Sequence, residues 1–141
     1  MSPAEVAGLE AWTSPAQRAL FAAMHPADQR HGLDVVATLR AAGHRDQDLL
    51  LAGLLHDAGK GRAGVWPRVA WPLGEAYGPC VWRLAAPLPG MRRGLERLRV
   101  HAERSAELAA AAGCPPRTVE LIRNQSAPQD PDLGPALLLA D

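Results

Sequence analysis

Along most of the chain the apolar residues recur at intervals of three and four, which places them on one face of an α-helix; no stretch alternates convincingly like a strand. Ser14 followed by Pro15 supplies an N-cap and a residue suited to the first helical position, so a short helix is predicted from 15 to about 24, stopped by His25-Pro26. From 26 to 42 the residues Leu33, Val36 and Leu39, with Val35 beside them, keep helical spacing, and Gly43 stands where a C-terminal cap belongs. This second helix carries His31. Asp46 or Asp48 can cap a third, Leu49-Leu50-Leu51-Ala52-Gly53-Leu54-Leu55, which is apolar nearly all round and is therefore expected at the centre of the core.

Beyond residue 60 the pattern weakens. The stretch 61 to 90 contains Trp66, Trp71 and Trp82 together with five prolines, and reads as loops and short helical pieces, its tryptophans as packing residues. Helical spacing returns from 91 through Leu95, Leu98, Ala102, Ala106 and Ala109 until Gly113 and Pro115-Pro116 end it. A further helix is predicted from 116 to about 125, with Val119 and Ile122 facing the core, and a polar loop over 126 to 132 leads to a last apolar segment, 133 to 140. The pattern predicts an all-α fold in a single domain spanning 1–141, with 1–25 as a helical extension and 26–141 as the core.

Length and composition agree with one domain: 141 residues, 48% of them hydrophobic, build one core of ordinary size. The apolar runs are too short to span a bilayer, and the N-terminus has no basic segment leading into an apolar one, so a cytoplasmic protein with no membrane partner is expected. Lys+Arg and Asp+Glu balance at 15 each, which argues against a nucleic-acid partner. Cys80 and Cys114 have neither the spacing of a zinc site nor that of a disulfide framework, and read as buried thiols. Of the 15 basic residues all but Lys60 are arginines. A compact ammonium kept at that one position, three residues after Asp57, is a different chemical tool from a guanidinium.

The candidate chemistry centres on His56-Asp57, an ionisable pair at the end of the most apolar helix. Neither side chain is cheap to bury without a partner, and a divalent cation satisfies both; the alternative is a histidine near the negative end of a helix dipole with an aspartate entering a turn. His31 lies 25 residues upstream on a helix followed by a short connection, so the two helices should pack antiparallel with His31 facing His56. Asp141, at the end of the last apolar segment, can bring a second carboxylate to the same point. As the last residue of the sequence it is expected to be pinned by the metal itself or followed by further chain. The resulting set, His31, His56, Asp57 and Asp141, has nitrogen and oxygen donors suited to Mn, Fe, Co, Ni or Mg.

The string Leu-Leu-His56-Asp57-Ala-Gly-Lys60, preceded by His31 in Asp-Gln-Arg-His-Gly-Leu-Asp-Val-Val and followed by the terminal Leu-Leu-Leu-Ala-Asp141, resembles the HD-domain superfamily of metal-dependent phosphohydrolases. The resemblance covers roughly 25 to 141. It implies an HD-domain-like helical bundle, a divalent metal ion held by those four residues, and hydrolysis of a small phosphoester, often a nucleotide. Members with a second metal, including the HD-GYP group, carry further histidines. His101-Ala-Glu-Arg-Ser-Ala-Glu-Leu resembles the first of their patterns, but Asn124-Gln125 stands where the later histidines would fall. One metal is therefore expected, with His101 and Asn124 as candidates for a weak second site or a phosphate contact.

On this reading the ion activates a water for in-line attack on phosphorus, Asp57 ligates with one oxygen and orients the water with the other, and Lys60 stabilises charge on the phosphoryl oxygens. Asp57 and Lys60 are thus the expected catalytic residues. Arg30, Arg62 and Asp34 are weaker candidates, weighed against ordinary solvated roles, and His25 and His44 are read as helix-boundary residues. The alternative function is an HD fold without turnover that senses a nucleotide or binds a partner.

Overall fold

The computed structural model describes residues 3–60 and 100–141. Within them are seven α-helices, one 3-10 turn and no strand, so the fold is all-α. The helices are α1 (Pro3–Glu10), α2 (Pro15–Ala23), α3 (Pro26–Ala41), α4 (Gln47–Leu55), α5 (His101–Ala111), α6 (Pro116–Arg123) and α7 (Gly134–Ala140), with the 3-10 turn at Ala58–Lys60 between α4 and α5. The expected helical residues 91–99, the tryptophans of 61–90, Arg62 and Cys80 lie outside the described residues.

Local chemistry sets the helix starts. Ser14 and Gln17 form a reciprocal capping box at α2: Ser14 Oγ accepts from the Gln17 N–H at 3.2 Å, and Gln17 Oε1 accepts from the Ser14 N–H at 2.8 Å. Pro26 opens α3 behind His25, whose Nδ1 accepts from the Ala27 N–H. Of the two aspartates that could cap α4, Asp46 does so, accepting from the N–H groups of Asp48 and Leu49. Asp48 instead receives the hydroxyl of the buried Thr118 at 2.9 Å and ties α4 to α6. Gly43 ends α3 with φ +91°, and the bonds His44 N–H to Leu39 O and Gly43 N–H to Arg40 O complete a Schellman closure.

The all-apolar helix is the centre, as its pattern requires. Every residue of α4 from Leu49 to Leu55 is buried, and α4 touches α2, α3, α6 and α7. It runs antiparallel to α3, with Gly53 against Val35 and Leu39, and Gly32 against the backbone of Leu54. A Cβ on Gly32 would lie 2.6 Å from the Leu54 carbonyl oxygen, so glycine lets the two backbones approach closely. That approach sets His31, the neighbouring residue, beside the C-terminal end of α4.

The N-terminal extension holds two helices where the pattern marks one. The apolar residues of α1 are spread around its circumference, which leaves no stripe to read. It packs on α2, and Glu5 pairs with Arg30 of α3 at 2.6 Å. Cys114 is a buried free thiol, as expected, and burial pushes its pKa up. No described helix is long and apolar enough to cross a membrane.

Candidate metal centre

The apolar helix ends by delivering two polar side chains into the interior. His56, the C-cap of α4, is 1% exposed and Asp57 is 2% exposed. His56 Nδ1 lies 2.9 Å from the Gly53 carbonyl oxygen. A carbonyl only accepts, so Nδ1 carries a proton and donates it, and in the neutral ring Nε2 is left as a bare lone pair. That nitrogen faces carboxylate oxygens: Asp141 Oδ1 at 3.1 Å and Asp57 Oδ1 at 3.5 Å. Both Nε2 of His56 and Oδ1 of Asp57 are buried with no hydrogen-bond partner.

Acceptors turned toward one another in a water-poor interior repel unless a cation stands among them. A proton on His56 is one such cation. Burial opposes it, and the carboxylates of Asp141 and Asp57 outweigh burial, so the pKa of His56 lies above the ordinary imidazole value. A divalent ion is the other, and the spacing suits one. Ligand bonds of about 2.1 Å put neighbouring donors about 3.0 Å apart in an octahedron and about 3.4 Å apart in a tetrahedron.

His31 completes the arrangement from the facing helix. Its Nε2 is 2.8 Å from Asp141 Oδ1, and its ring meets that of His56 edge to face at 5.1 Å between centroids. One donor atom each from His31, His56 and Asp141 lies within 4.8 Å of the others. Asp141 thus arrives from the end of α7 at the junction of α3 and α4. Its carboxyl is held well below the usual carboxylate range, first by His31 and then by His56. Side-chain exposures of 37% for His31 and 41% for Asp141, against full burial of His56 and Asp57, show that the cluster is open on one side. Two imidazoles and a carboxylate, with Asp57 at the edge, are nitrogen and oxygen donors of the kind that suit divalent first-row metals.

Lys60 modifies the expected role of Asp57. Its Nζ lies 2.6 Å from Asp57 Oδ2, so that oxygen is occupied by an ammonium, and Oδ1 alone turns to the histidines. Lys60 therefore neutralises and aims the carboxylate. Removing this cation leaves a buried carboxylate short of a counter-charge. Lys60→Met should cost about 2 kcal/mol in chelated protein, discounted from a fully buried pair because Nζ is partly exposed. Saturating Mn should shrink that loss by supplying the missing charge; an equal loss in urea unfolding with and without Mn would refute the compensation.

The remaining candidates are sorted by helix face. His101, first residue of α5, has Nε2 3.8 Å from Asp57 Oδ1, and so borders the cluster. Asn124 does not: its amide nitrogen bonds Glu120, through the carbonyl and side-chain oxygens. Its neighbour Gln125 points inward instead, and its side-chain nitrogen lies 3.0 Å from His101 Nε2. The register of α6 explains the exchange. Thr118, Leu121, Ile122 and Gln125 share the buried face, whereas Arg117, Glu120 and Asn124 lie toward solvent. Arg30 is bound by Glu5 and Asp34, which accounts for Asp34 as well.

Gly59 and Ser105 are positioning residues with no chemical signature in the sequence. The Gly59 N–H donates to Ser105 Oγ at 2.7 Å, and a Cβ on Gly59 would fall 2.5 Å from both the His101 carbonyl oxygen and the Ser105 nitrogen. The 3-10 turn bearing Lys60 thus lies directly on the first turn of α5. Comparison with known protein families, curated proteins and solved structures finds no match.

Proposed function

We propose that the protein is a metal-dependent phosphohydrolase that acts on a nucleotide or another small phosphoester. One observation carries the reading: two buried polar atoms without partners, His56 Nε2 and Asp57 Oδ1, converge with His31 and Asp141 on a point open to one side. The order His31, His56-Asp57, Asp141 and the Ala-Gly-Lys60 that follows the pair support the HD-type assignment of that point. A divalent ion bound there supplies Lewis acidity to a phosphoryl oxygen and acidity to a water. His31 and His56 would hold it from facing helices, with the His56 ring fixed by the Gly53 carbonyl. Lys60 keeps Asp57 Oδ1 directed at the centre and offers its remaining N–H groups to phosphoryl oxygens as charge develops on them.

The test is elemental mass spectrometry on wild type and Asp57→Ala, purified side by side without added metal or chelator, followed by a panel of nucleotides and other phosphoesters. The expected result is about one ion per chain in the wild type, none in the variant, and phosphoester hydrolysis by the wild type alone. No ion in either, even after incubation with Mn, Fe and Co, would overturn the reading. Bound metal with no hydrolysis across the panel would replace it with a nucleotide-sensing or partner-binding module.

A further inference from the structure

His101 borders the ion cluster in a way that raises a question of number. Asp57 Oδ1 stands between two imidazole nitrogens, 3.5 Å from His56 Nε2 and 3.8 Å from His101 Nε2. A carboxylate between two histidines is a natural bridge, and hydrolytic centres with two ions hold them about 3.5 to 4 Å apart. The same residues could therefore serve one ion or two.

Gln125 decides between them. It is 7% exposed, it follows directly on the buried face of α6, and its amide nitrogen lies 3.0 Å from His101 Nε2. An amide N–H donating there uses the lone pair that a metal would need. Turning the amide over places its oxygen at the same spot, and His101 Nε2 must then carry a proton, which again leaves no lone pair on Nε2, the nitrogen that faces Asp57, for coordination. The result is the same for both amide orientations. As oriented, the amide oxygen of Gln125 is buried without a partner. A buried acceptor left unpaired is a cost, and an apolar side chain at this core position would avoid it. The contact with His101 is what the amide provides in return.

We propose that Gln125 is a positioning residue that withholds His101 from coordination and thereby limits the centre to one ion per chain. The proposal rests on the metal reading of His31, His56, Asp57 and Asp141. It makes Asp57 Oδ1 a terminal donor instead of a bridge.

Titration of the metal-free full chain with Mn, read by calorimetry and by electron paramagnetic resonance, tests it without reference to turnover. Wild type should saturate near one equivalent, with the spectrum of an isolated Mn ion. His101→Ala should keep the affinity for that ion within about threefold, because His101 is outside the coordination set. Gln125→Glu, which trades the amide for a carboxylate of the same shape, should take up a second equivalent and show the broadened spectrum of a coupled pair. Two ions in the wild type, loss of the first ion in His101→Ala, or a folded Gln125→Glu that stops at one would each overturn the proposal. Absence of binding in every variant, wild type included, would instead remove the metal reading on which it stands.

Discussion

Among the described glycines, Gly59 should be the one at which alanine does the most damage. The new Cβ would meet backbone atoms of His101 and Ser105 at 2.5 Å, and backbone cannot swing aside as a side chain can. The 3-10 turn and α5 must separate, which stretches the Gly59 to Ser105 bond and moves His101 away from Asp57. Overpacking of this kind costs roughly 3 kcal/mol. Urea unfolding should show the midpoint falling accordingly. Gly8→Ala, in helix α1 where a Cβ would have nothing within 4 Å, should instead be neutral or gain up to about 1 kcal/mol through helix propensity. A Gly59→Ala protein as stable as Gly8→Ala would show that the turn does not rest on α5 as described.

On the proposed metal reading, saturating Mn should raise the stability of the wild type by about 4 kcal/mol when its concentration is a thousandfold above the dissociation constant, since an ion held at that centre would bind the folded chain and not the unfolded one. For a domain of this size that corresponds to a rise of roughly 10 °C in Tm, reversed by a chelator. In His56→Ala both effects should vanish, because the fully buried donor at the centre of the cluster is gone. Scanning calorimetry on the two proteins, each with Mn and with chelator, separates the outcomes. An equal rise in both would place the ion elsewhere.

Much of the helical frame was legible because several of its elements are announced by a local signal. Ser14-Pro15, His25-Pro26, Asp46 and Gly43 mark helix ends through capping chemistry that needs no tertiary partner. The apolar run 49 to 55 locates the core because a helix without a polar face has nowhere else to go. His56-Asp57 stood out for the complementary reason, as charge-bearing groups attached to that run. What escaped was information carried by contacts between distant segments. Glycine at 59 looks like any loop glycine until α5 is laid against it. Asn124 and Gln125 are chemically alike, and only the register of α6 sends one outward and the other to His101. The pairing of Lys60 with Asp57 Oδ2 also depends on the turn at 58 to 60, which the sequence pattern does not specify. The helix α1 gave no stripe to read, since its apolar residues are spread around its circumference.

The meeting of His31 with Asp141 has a topological side. The two residues are 110 positions apart, and an ion shared between them would close the intervening chain into a single large ring. A tie across so long a loop acts chiefly on the unfolded ensemble, whose freedom it restricts; a covalent bridge of that span is worth about 5 kcal/mol in the chain-entropy picture. A reversible tie of this sort behaves as a buckle. Cut at one peptide bond inside the ring, the two pieces would be held by the packing of α4 against α6 and α7 together with the buckle, and should separate at a lower urea concentration once a chelator opens it.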